Sequence, residues 1–256
     1  MCNVQSLKIL LALVSLTCSV GGFAKDQTFE ASNGRLNAEG WDFSQSHLNL
    51  NGEWGFTWHQ LLKYSDLKVL SQTDRQLIKV PSFWTSGQSA NGKGYPVTGF
   101  ASYFLELNLS EKHVTETLGI RITEIMTTGT LEVWQDNRLI ASLDQGAPAT
   151  TGEKEIPLFL SRLGQIVPIP ALQPGRVVIL IRTSSFLNNR IGGGLWQPVT
   201  LGIYDRLLKE SYIEVLSRAA LQGILFIIAV YHLILFFQRT EDHSSLTFAI
   251  FCFVEC

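Results

Sequence analysis

The stretch GFASYFLELNL, Gly99–Leu109, decides the fold class of this chain. Its last three leucines alternate with the polar residues Glu106 and Asn108. Successive side chains of a β-strand point to opposite faces, so a period of two predicts a strand with one face in a core and the other toward solvent. The chain around this stretch is therefore expected to be built from β-sheets.

The same period continues on both sides of that stretch. Residues 118–122 alternate in the same way. Leu131 and Val133 on one side and Leu139 on the other flank Gln-Asp-Asn-Arg at 135–138, which predicts a hairpin turn. Residues 177–181 are an unbroken apolar run, which is typical of a strand buried on both faces, and residues 199–203 are expected to form the last strand. Short strands separated by Gly, Pro, Asn and Asp predict an all-β sandwich or jelly roll.

Composition excludes several classes of function. The chain has 256 residues and a net charge of −2, and it contains no Lys/Arg run, so nucleic-acid binding is not expected. Its four cysteines lie at positions 2, 18, 252 and 256, inside the apolar terminal regions. The middle of the chain therefore has no disulfide and no thiolate metal site, and we expect no metal and no cofactor.

The first 24 residues have the features of a signal peptide. Lys8 precedes a short apolar run at 9–16, and Gly22 and Ala24 are the small residues expected before a cleavage site. The alternative is an uncleaved N-terminal anchor. Cleavage after Ala24 would place residues 25–206 in the periplasm.

A second apolar segment is long enough to cross a membrane. Residues 219–237 contain no Asp, Glu, Lys or Arg, and about 20 apolar residues span a bilayer as a helix. The alternative is a buried core helix. Residues 207–218 are expected to form a connecting helix before this span. A polar turn and a further apolar stretch, LTFAIFCFVEC, follow, and we interpret residues 219–256 as the start of a truncated multi-span region in the bacterial inner membrane.

Several motifs occur together in an order that is typical of one family. They are LNGEWGFTWHQLL (50–62), VPSFW (80–84), GFASYFLELNL (99–109), LEVWQDNRLIAS (131–142), SSFLNNRIGGGLWQPVTLG (184–202) and AVYHLILFFQRTEDHSSLTFAI (229–250). In this order the motifs resemble the bacterial seven-transmembrane receptors with diverse intracellular signalling modules. That resemblance implies an extracytoplasmic, galactose-binding-like jelly roll followed by membrane helices. The jelly roll is in turn similar to the N-terminal sugar-binding domain of family 2 glycoside hydrolases.

The chain departs from the family pattern at two places. Phe104 stands where an arginine commonly follows the tyrosine, and Asp136-Asn137 replaces the usual Asn-Gly turn. The first departure removes any polar contact that such an arginine would make.

Tryptophans are the first candidates for ligand contact, because aromatic rings stack on the apolar faces of sugars. Trp54 and Trp58 share one face of a predicted strand and are better explained as residues that fill the core or close its edge. Trp84 and Trp196 sit beside turn residues and are the candidate ligand-binding aromatics, with a core position as the alternative.

The loop NNRIGGG supplies the polar candidates. Asn188, Asn189 and Arg190 offer donors and acceptors for hydroxyl or carboxylate groups, and the glycines that follow permit close backbone approach. The alternative is a glycine-rich connection with a solvated arginine. No helix start follows the loop, so a phosphate cradle is not expected.

Catalysis is not expected. The five histidines are scattered without metal-ligand spacing, and no nucleophile elbow is present, so we predict that the chain is not an enzyme. His232 lies inside the apolar span, where ionisable groups usually face a bundle interior, and it is a candidate signal-relay residue. The alternative is a neutral packing histidine beside Tyr231.

Three hypotheses of function follow. In the first, the chain is the sensing half of a membrane receptor that binds a small molecule, such as a carbohydrate, and passes the signal to a cytoplasmic output domain. In the second, the sandwich is a protein–protein interaction or homodimerisation module without a small ligand. In the third, it is an accessory domain of a membrane-anchored hydrolase.

Overall fold

The computed structural model describes residues 29–70, 75–87, 94–113, 115–122, 128–145, 149, 151, 165–170, 172–186, 193–238 and 243–254. The predicted signal peptide, residues 1–24, lies outside these ranges. The strands are β1 (Arg35–Asn37), β2 (Leu48–Asn49), β3 (Gly52–Trp58), β4 (Gln76–Val80), β5 (Gly99–Leu109), β6 (Leu118–Ile122), β7 (Thr128–Gln135), β8 (Arg138–Gln145), β9 (Gln165–Ile169), β10 (Gly175–Ser185) and β11 (Val199–Ile203). The helices are α1 (Tyr64–Val69), α2 (Tyr204–Gln238) and α3 (His243–Val254).

These strands form two packed sheets, which makes the fold a β-sandwich. Within the described residues the larger sheet has the order β4-β3-β5-β10-β7-β8, and β1 pairs in parallel with the end of β5. The smaller sheet has the order β2-β11-β6-β9. The strands predicted at 99–109, 118–122, 177–181 and 199–203 are confirmed, and the segment 131–139 contains the end of β7, the predicted turn and the start of β8.

The central pair of the larger sheet carries the core. β5 and β10 are antiparallel over eleven residue pairs, from Gly175 opposite Leu109 to Ser185 opposite Gly99. Leu105 and Ile179 point into the sandwich and are completely buried, and Ile120 on the smaller sheet is buried with them. From Leu105 to Leu109 the alternation in β5 therefore places the leucines on the inner face and Glu106 and Asn108 on the outer face, as the sequence predicts.

β10 is buried on both faces, which confirms that prediction as well. Its outward-facing residues Val178 and Leu180 pack with Leu67 of α1 and Phe104 of β5 in a second, smaller apolar cluster. The short helix α1 thus covers part of the outer face of the larger sheet. Arg182, further along the same outer face, forms an ion pair with Glu132 of β7.

The predicted hairpin joins β7 to β8. Asp136 and Asn137 have φ angles of 48° and 66°, which is the left-handed geometry that a two-residue hairpin turn requires. Asn and Asp tolerate this region better than other non-glycine residues, because their short polar side chains bond locally. Asp136-Asn137 can therefore make the turn where the family pattern has Asn-Gly.

The helical region differs from its predicted division. One continuous helix of 35 residues, α2, joins the predicted connecting helix to the predicted span, and it begins at the residue that follows β11. It is long and apolar enough to cross a membrane. Helix α3 packs beside it, with Ala229 of α2 and Ala249 of α3 both buried.

Candidate functional site

Trp84 lies inside the core and not on the surface. It opens a short 3₁₀-helix, Trp84–Ser86, and is completely buried. Its ring meets the edge of Trp58 with the centroids 5.0 Å apart, and its backbone amide donates to the Gly193 carbonyl oxygen at 3.0 Å. In this conformation the ring of Trp84 has no surface to offer a ligand, so the alternative of a core position describes it better.

Trp196 occupies a more accessible position at the same end of the sandwich. The Ser82 amide donates to the Leu195 carbonyl oxygen at 2.8 Å, so residues 82–84 and 193–195 run side by side. Trp196 is half-buried, and its ring stacks on Phe83 at 5.8 Å and an interplanar angle of 6°. The two candidate tryptophans therefore lie on the adjacent segments 82–84 and 193–196, with Trp84 turned into the core and Trp196 turned toward the surface.

Two glycines of the NNRIGGG loop are fixed by contact with these aromatics. A Cβ atom on Gly193 would lie 2.5 Å from the Trp84 ring, and one on Gly194 would lie 2.9 Å from the Tyr103 hydroxyl. Gly194 also has a φ of 121°, which side chains other than glycine rarely adopt. These two glycines allow the backbone at 193–194 to pack directly on the aromatic core. Asn188, Asn189 and Arg190 lie outside the described residues.

The tryptophans of the GEWGFTW strand are explained by packing. Trp54 is completely buried and its Nε1 donates to the Leu50 carbonyl oxygen at 2.8 Å. Trp58 is partly buried and stacks on His59 at 4.9 Å. Trp54 is therefore a core residue, and Trp58 lies at the edge of the core against Phe56, Trp84 and Tyr95, so packing explains both.

Tyr103 is the buried titratable group of this cluster. Burial raises the pKa of its hydroxyl far above the ordinary value, and the Leu195 backbone amide opposes that shift weakly. The hydroxyl lies against this amide without a hydrogen bond of good geometry. Tyr103 is therefore a neutral core residue and not an acid or a base at neutral pH.

His232 lies between the two apolar helices. Its ring makes edge contacts with Tyr231 at 5.4 Å and with Phe248 of α3 at 4.6 Å. Its Nδ1 atom is buried and has no hydrogen-bond partner among the residues that the structure describes. His232 thus sits at the helix–helix contact, as a signal-relay residue would, although a packing histidine would occupy the same place.

The junction between the sandwich and α2 is a polar cluster that the sequence analysis did not identify. The Tyr204 amide donates to the Thr117 carbonyl oxygen at 2.9 Å, and Leu207 is completely buried. Glu210 Oε2 lies 3.5 Å from Arg121 of β6 and 3.3 Å from His47 Nδ1. These residues come from separate parts of the chain, so no local motif could have marked them.

The loop before β2 also holds the helix. Arg206 donates to the Phe43 and Ser44 carbonyl oxygens at 3.4 Å and 2.5 Å. The Ser44 hydroxyl and then its backbone amide lower the pKa of Asp42 in the same turn. Helix α2 is therefore bonded both to the smaller sheet and to the loop in front of it.

A metal centre has no support in the part of the chain that the structure describes. No group of three His, Cys, Asp or Glu side chains there is placed to hold an ion. Cys252 is buried in the helix pair as a free thiol.

Comparison with known proteins shows only that the architecture of this chain is similar to parts of solved structures. No family model and no curated protein matches the chain. Among solved structures, it is similar to part of a β-glucuronidase from Faecalibacterium prausnitzii, with 15% identity, a TM-score of 0.41, 60% of this chain covered and 31% of the enzyme. A β-glucuronidase from an uncultured Clostridium sp. gives 13% identity, a TM-score of 0.41, 61% of this chain and 28% of the enzyme.

A GH2 β-galacturonidase from Eisenbergiella tayi, bound to galacturonate, is similar at 15% identity and a TM-score of 0.37, over 60% of this chain and 24% of the enzyme. The chain spans less than a third of the length of each of these glycoside hydrolases. The class that the fold defines is a β-sandwich followed by a long apolar helix.

Proposed function

We propose that this chain is the extracytoplasmic sensing half of a bacterial membrane receptor. Its sandwich is a galactose-binding-like jelly roll that lies in the periplasm and binds a small molecule of the carbohydrate class. Helix α2 transmits the conformational change caused by binding across the membrane to a cytoplasmic output domain. The chain itself performs no catalysis.

The observation that carries this proposal is the direct connection between the aromatic end of the sandwich and the helix. Trp196 lies three residues before β11, and β11 is followed by Tyr204 without a linker. A flexible linker would let the domain and the helix move independently. Here a displacement of the segment that contains Trp196 would displace β11, and with it the start of α2.

Bonds on both sides of the junction make this connection stiff. Glu210 ties the second turn of α2 to β6, and Arg206 ties the first turn to the loop before β2. Leu207 is buried against the smaller sheet between them. A ligand that prefers one arrangement of the Trp196 segment would shift the population of helix arrangements by its difference in affinity.

Trp196 is the aromatic that would contact the ligand. Its ring is half-buried, and its indole N–H is enclosed by the protein without an acceptor among the described residues, so the ring face is the part that is open to a ligand. The apolar face of a tryptophan ring suits the C–H face of a sugar. Phe83, stacked beneath it, holds the ring in place.

The test is a titration of the chain in lipid nanodiscs against a panel of neutral mono- and disaccharides, followed by calorimetry. Trp196→Ala should weaken the binding found by about tenfold or more, because loss of a stacked aromatic costs on the order of 1.4 kcal/mol or more. Trp134→Ala is the matched control, since Trp134 stacks on Tyr64 on the outer face. No binding to any sugar by a folded chain would count against the proposal.

One observation favours the second candidate, an interaction or homodimerisation module. The aromatics that could meet a ligand are already in contact with each other: Trp84 is completely buried, and Phe83 covers one face of Trp196. Cysteine crosslinking in intact cells separates the two candidates. A ligand-independent homodimer through the sandwich, together with no sugar binding, would establish the module.

A further inference from the structure

A cluster of arginines surrounds one carboxylate on the outer face of the larger sheet. Glu106 of β5 has a side chain that is only 12% exposed. Arg35 Nε lies 3.2 Å from its Oε2 atom, while Arg176 and Arg75 approach its Oε1 atom at 2.6 Å and 3.9 Å. Three guanidinium groups thus converge on a single carboxylate.

This cluster has more positive charge than its own carboxylates neutralise. Lys79 of β4 adds a cation opposite Glu53 of β3, and Glu53 accepts a hydrogen bond from the Asn33 amide at 3.3 Å. With Glu106 and the three arginines, the described side chains of this region comprise four cations and two anions. Two positive charges remain to attract an anion from solution.

A cavity opens beside the cluster. It has a volume of about 430 Å³ and is lined by Asn33, Arg35, Arg75 and Leu77. Cavities of roughly 300–1,000 Å³ are the usual size for small-molecule sites. The lining combines two guanidinium groups and an amide with the exposed apolar side chain of Leu77.

Arg75 is held at the wall of this cavity and still has an unused donor. Its guanidinium group lies over the Phe104 ring at 5.6 Å and donates to the Leu67 carbonyl oxygen at 3.3 Å. Its Nε atom is buried and has no partner among the residues that the structure describes.

Arg35 is positioned by backbone geometry. Asn33 and Gly34 form a tight turn with φ angles of 52° and 72°, and Ser32 and Arg35 exchange two backbone hydrogen bonds across it. The Gly34 carbonyl oxygen then accepts from the Glu106 amide at 2.9 Å. The base of Arg35 is therefore fixed in the sheet before any ligand arrives, which lowers the entropy cost of binding.

We propose that this cavity binds a small organic carboxylate. Arginine presents a planar pair of donors that matches a carboxylate, and Glu106 already shows how the cluster holds one. Leu77 and the neighbouring amide would contact the apolar and polar parts of the ligand body. Inorganic phosphate fits less well because it has no apolar part to contact Leu77. This site is separate from Trp196 and does not depend on the receptor proposal.

The test is calorimetric titration of the whole chain in lipid nanodiscs with succinate, its uncharged analogue succinamide, and inorganic phosphate. Succinate should bind, succinamide should not, and phosphate should bind more weakly than succinate. Arg35→Gln should weaken succinate binding by about tenfold. Arg138→Gln is the control, because Arg138 is an exposed arginine on β8, at the other edge of the sheet, and this variant should bind as the unsubstituted chain does.

Glu106→Gln distinguishes a ligand site from internal charge compensation. If the arginines only neutralise Glu106, the unsubstituted chain does not bind succinate, and only the variant, whose guanidinium groups have lost their internal partner, does. If they form the site, removal of the competing carboxylate should tighten succinate binding by about threefold or more. Arg35 is 65% exposed, so Arg35→Gln should leave the thermal unfolding temperature unchanged and is decisive even if Glu106→Gln destabilises the domain.

Three results would overturn the proposal: no succinate binding to a folded chain up to about 10 mM, equal binding of succinate and succinamide, or equal losses in Arg35→Gln and Arg138→Gln. Tighter binding of phosphate than of succinate would overturn the assignment to carboxylates.

Discussion

Arg121 of β6 and Glu210 of α2 form an ion pair across the boundary between the sandwich and the long helix, with 3.5 Å between Arg121 Nη1 and Glu210 Oε2. Arg121 has a side chain that is 16% exposed, which shields the pair from solvent more than a surface pair. His47 approaches the same carboxylate oxygen from β2's side of the sheet, at 3.3 Å from Nδ1. One carboxylate of the helix thus contacts two segments of the sandwich.

A double-mutant cycle on Arg121→Met and Glu210→Gln should give a favourable coupling of about 0.5–1 kcal/mol in the free energy of unfolding. The exposed pair Glu214–Arg218, four residues apart on the same helix, is the control and should give roughly 0.3–0.5 kcal/mol. Urea unfolding followed by tryptophan fluorescence measures both. Equal couplings would mean that the junction pair is no more than a surface ion pair.

Gly193→Ala should destabilise the sandwich by about 1–3 kcal/mol, because the added Cβ would meet the Trp84 ring at 2.5 Å and the Ser185 Cβ at 2.9 Å in a packed core. Gly223→Ala in α2 has no atom within 4 Å of the added Cβ and is the matched control, expected to be neutral or stabilising. Thermal unfolding of the two variants tests this. A neutral Gly193→Ala would show that Trp84 is not packed against the loop.

Asn137→Gly should stabilise the hairpin by a few tenths of a kcal/mol to about 1 kcal/mol, because glycine adopts a φ of 66° without steric cost. Asn137→Val should destabilise it by about 1–2 kcal/mol, since a β-branched residue is strained there. The midpoint of urea unfolding measures both changes. The opposite order of the two variants would contradict the turn geometry.

Tyr103 should make the fold sensitive to alkali. Its pKa is raised in the folded chain, while the unfolded chain titrates near the ordinary value of about 10. The stability that this difference contributes is complete below pH about 10 and is lost as the pH rises further, at up to about 1.4 kcal/mol per pH unit. Tyr103→Phe should reduce that slope between pH about 9.5 and 11, measured by urea unfolding at several pH values. An unchanged slope would place the hydroxyl in contact with solvent.

Much of the fold could be predicted because the alternation of apolar and polar residues that marks a strand is contained within the strand's own sequence. The leucines of β5 and the unbroken apolar run in β10 each contain the information for one strand and its buried faces. The hairpin at Asp136-Asn137 is equally local. The length of the apolar segment predicted a helix long enough to span a membrane. It did not predict that the connecting helix continues into this segment without a break.

The rest depends on pairings between distant parts of the chain. Arg35, Arg75, Glu106 and Arg176 lie in four separate segments. The pairings of β1 and β10 with β5 bring Arg35 and Arg176 to Glu106, and the pairings of β4 with β3 and of β3 with β5 bring Arg75 there. The burial of Trp84 has a similar origin, because the loop that covers it comes more than 100 residues later. The turn residues beside Trp84 suggested that its ring is exposed. In the structure the ring is buried because Gly193, which has no side chain, packs directly against it.

The most direct test of the central claim is two-sided labelling of cysteines in intact bacterial cells, in a chain whose four native cysteines are replaced by serine. Val69→Cys places a thiol on the sandwich at a side chain that is 84% exposed, and Ser244→Cys places one at the exposed start of α3. With a membrane-impermeant maleimide, we predict labelling of Cys at 69 in intact cells and of Cys at 244 only after the cells are broken. Labelling of both positions only after breakage, or recovery of the protein in the soluble fraction, would contradict a periplasmic sandwich attached to a membrane helix.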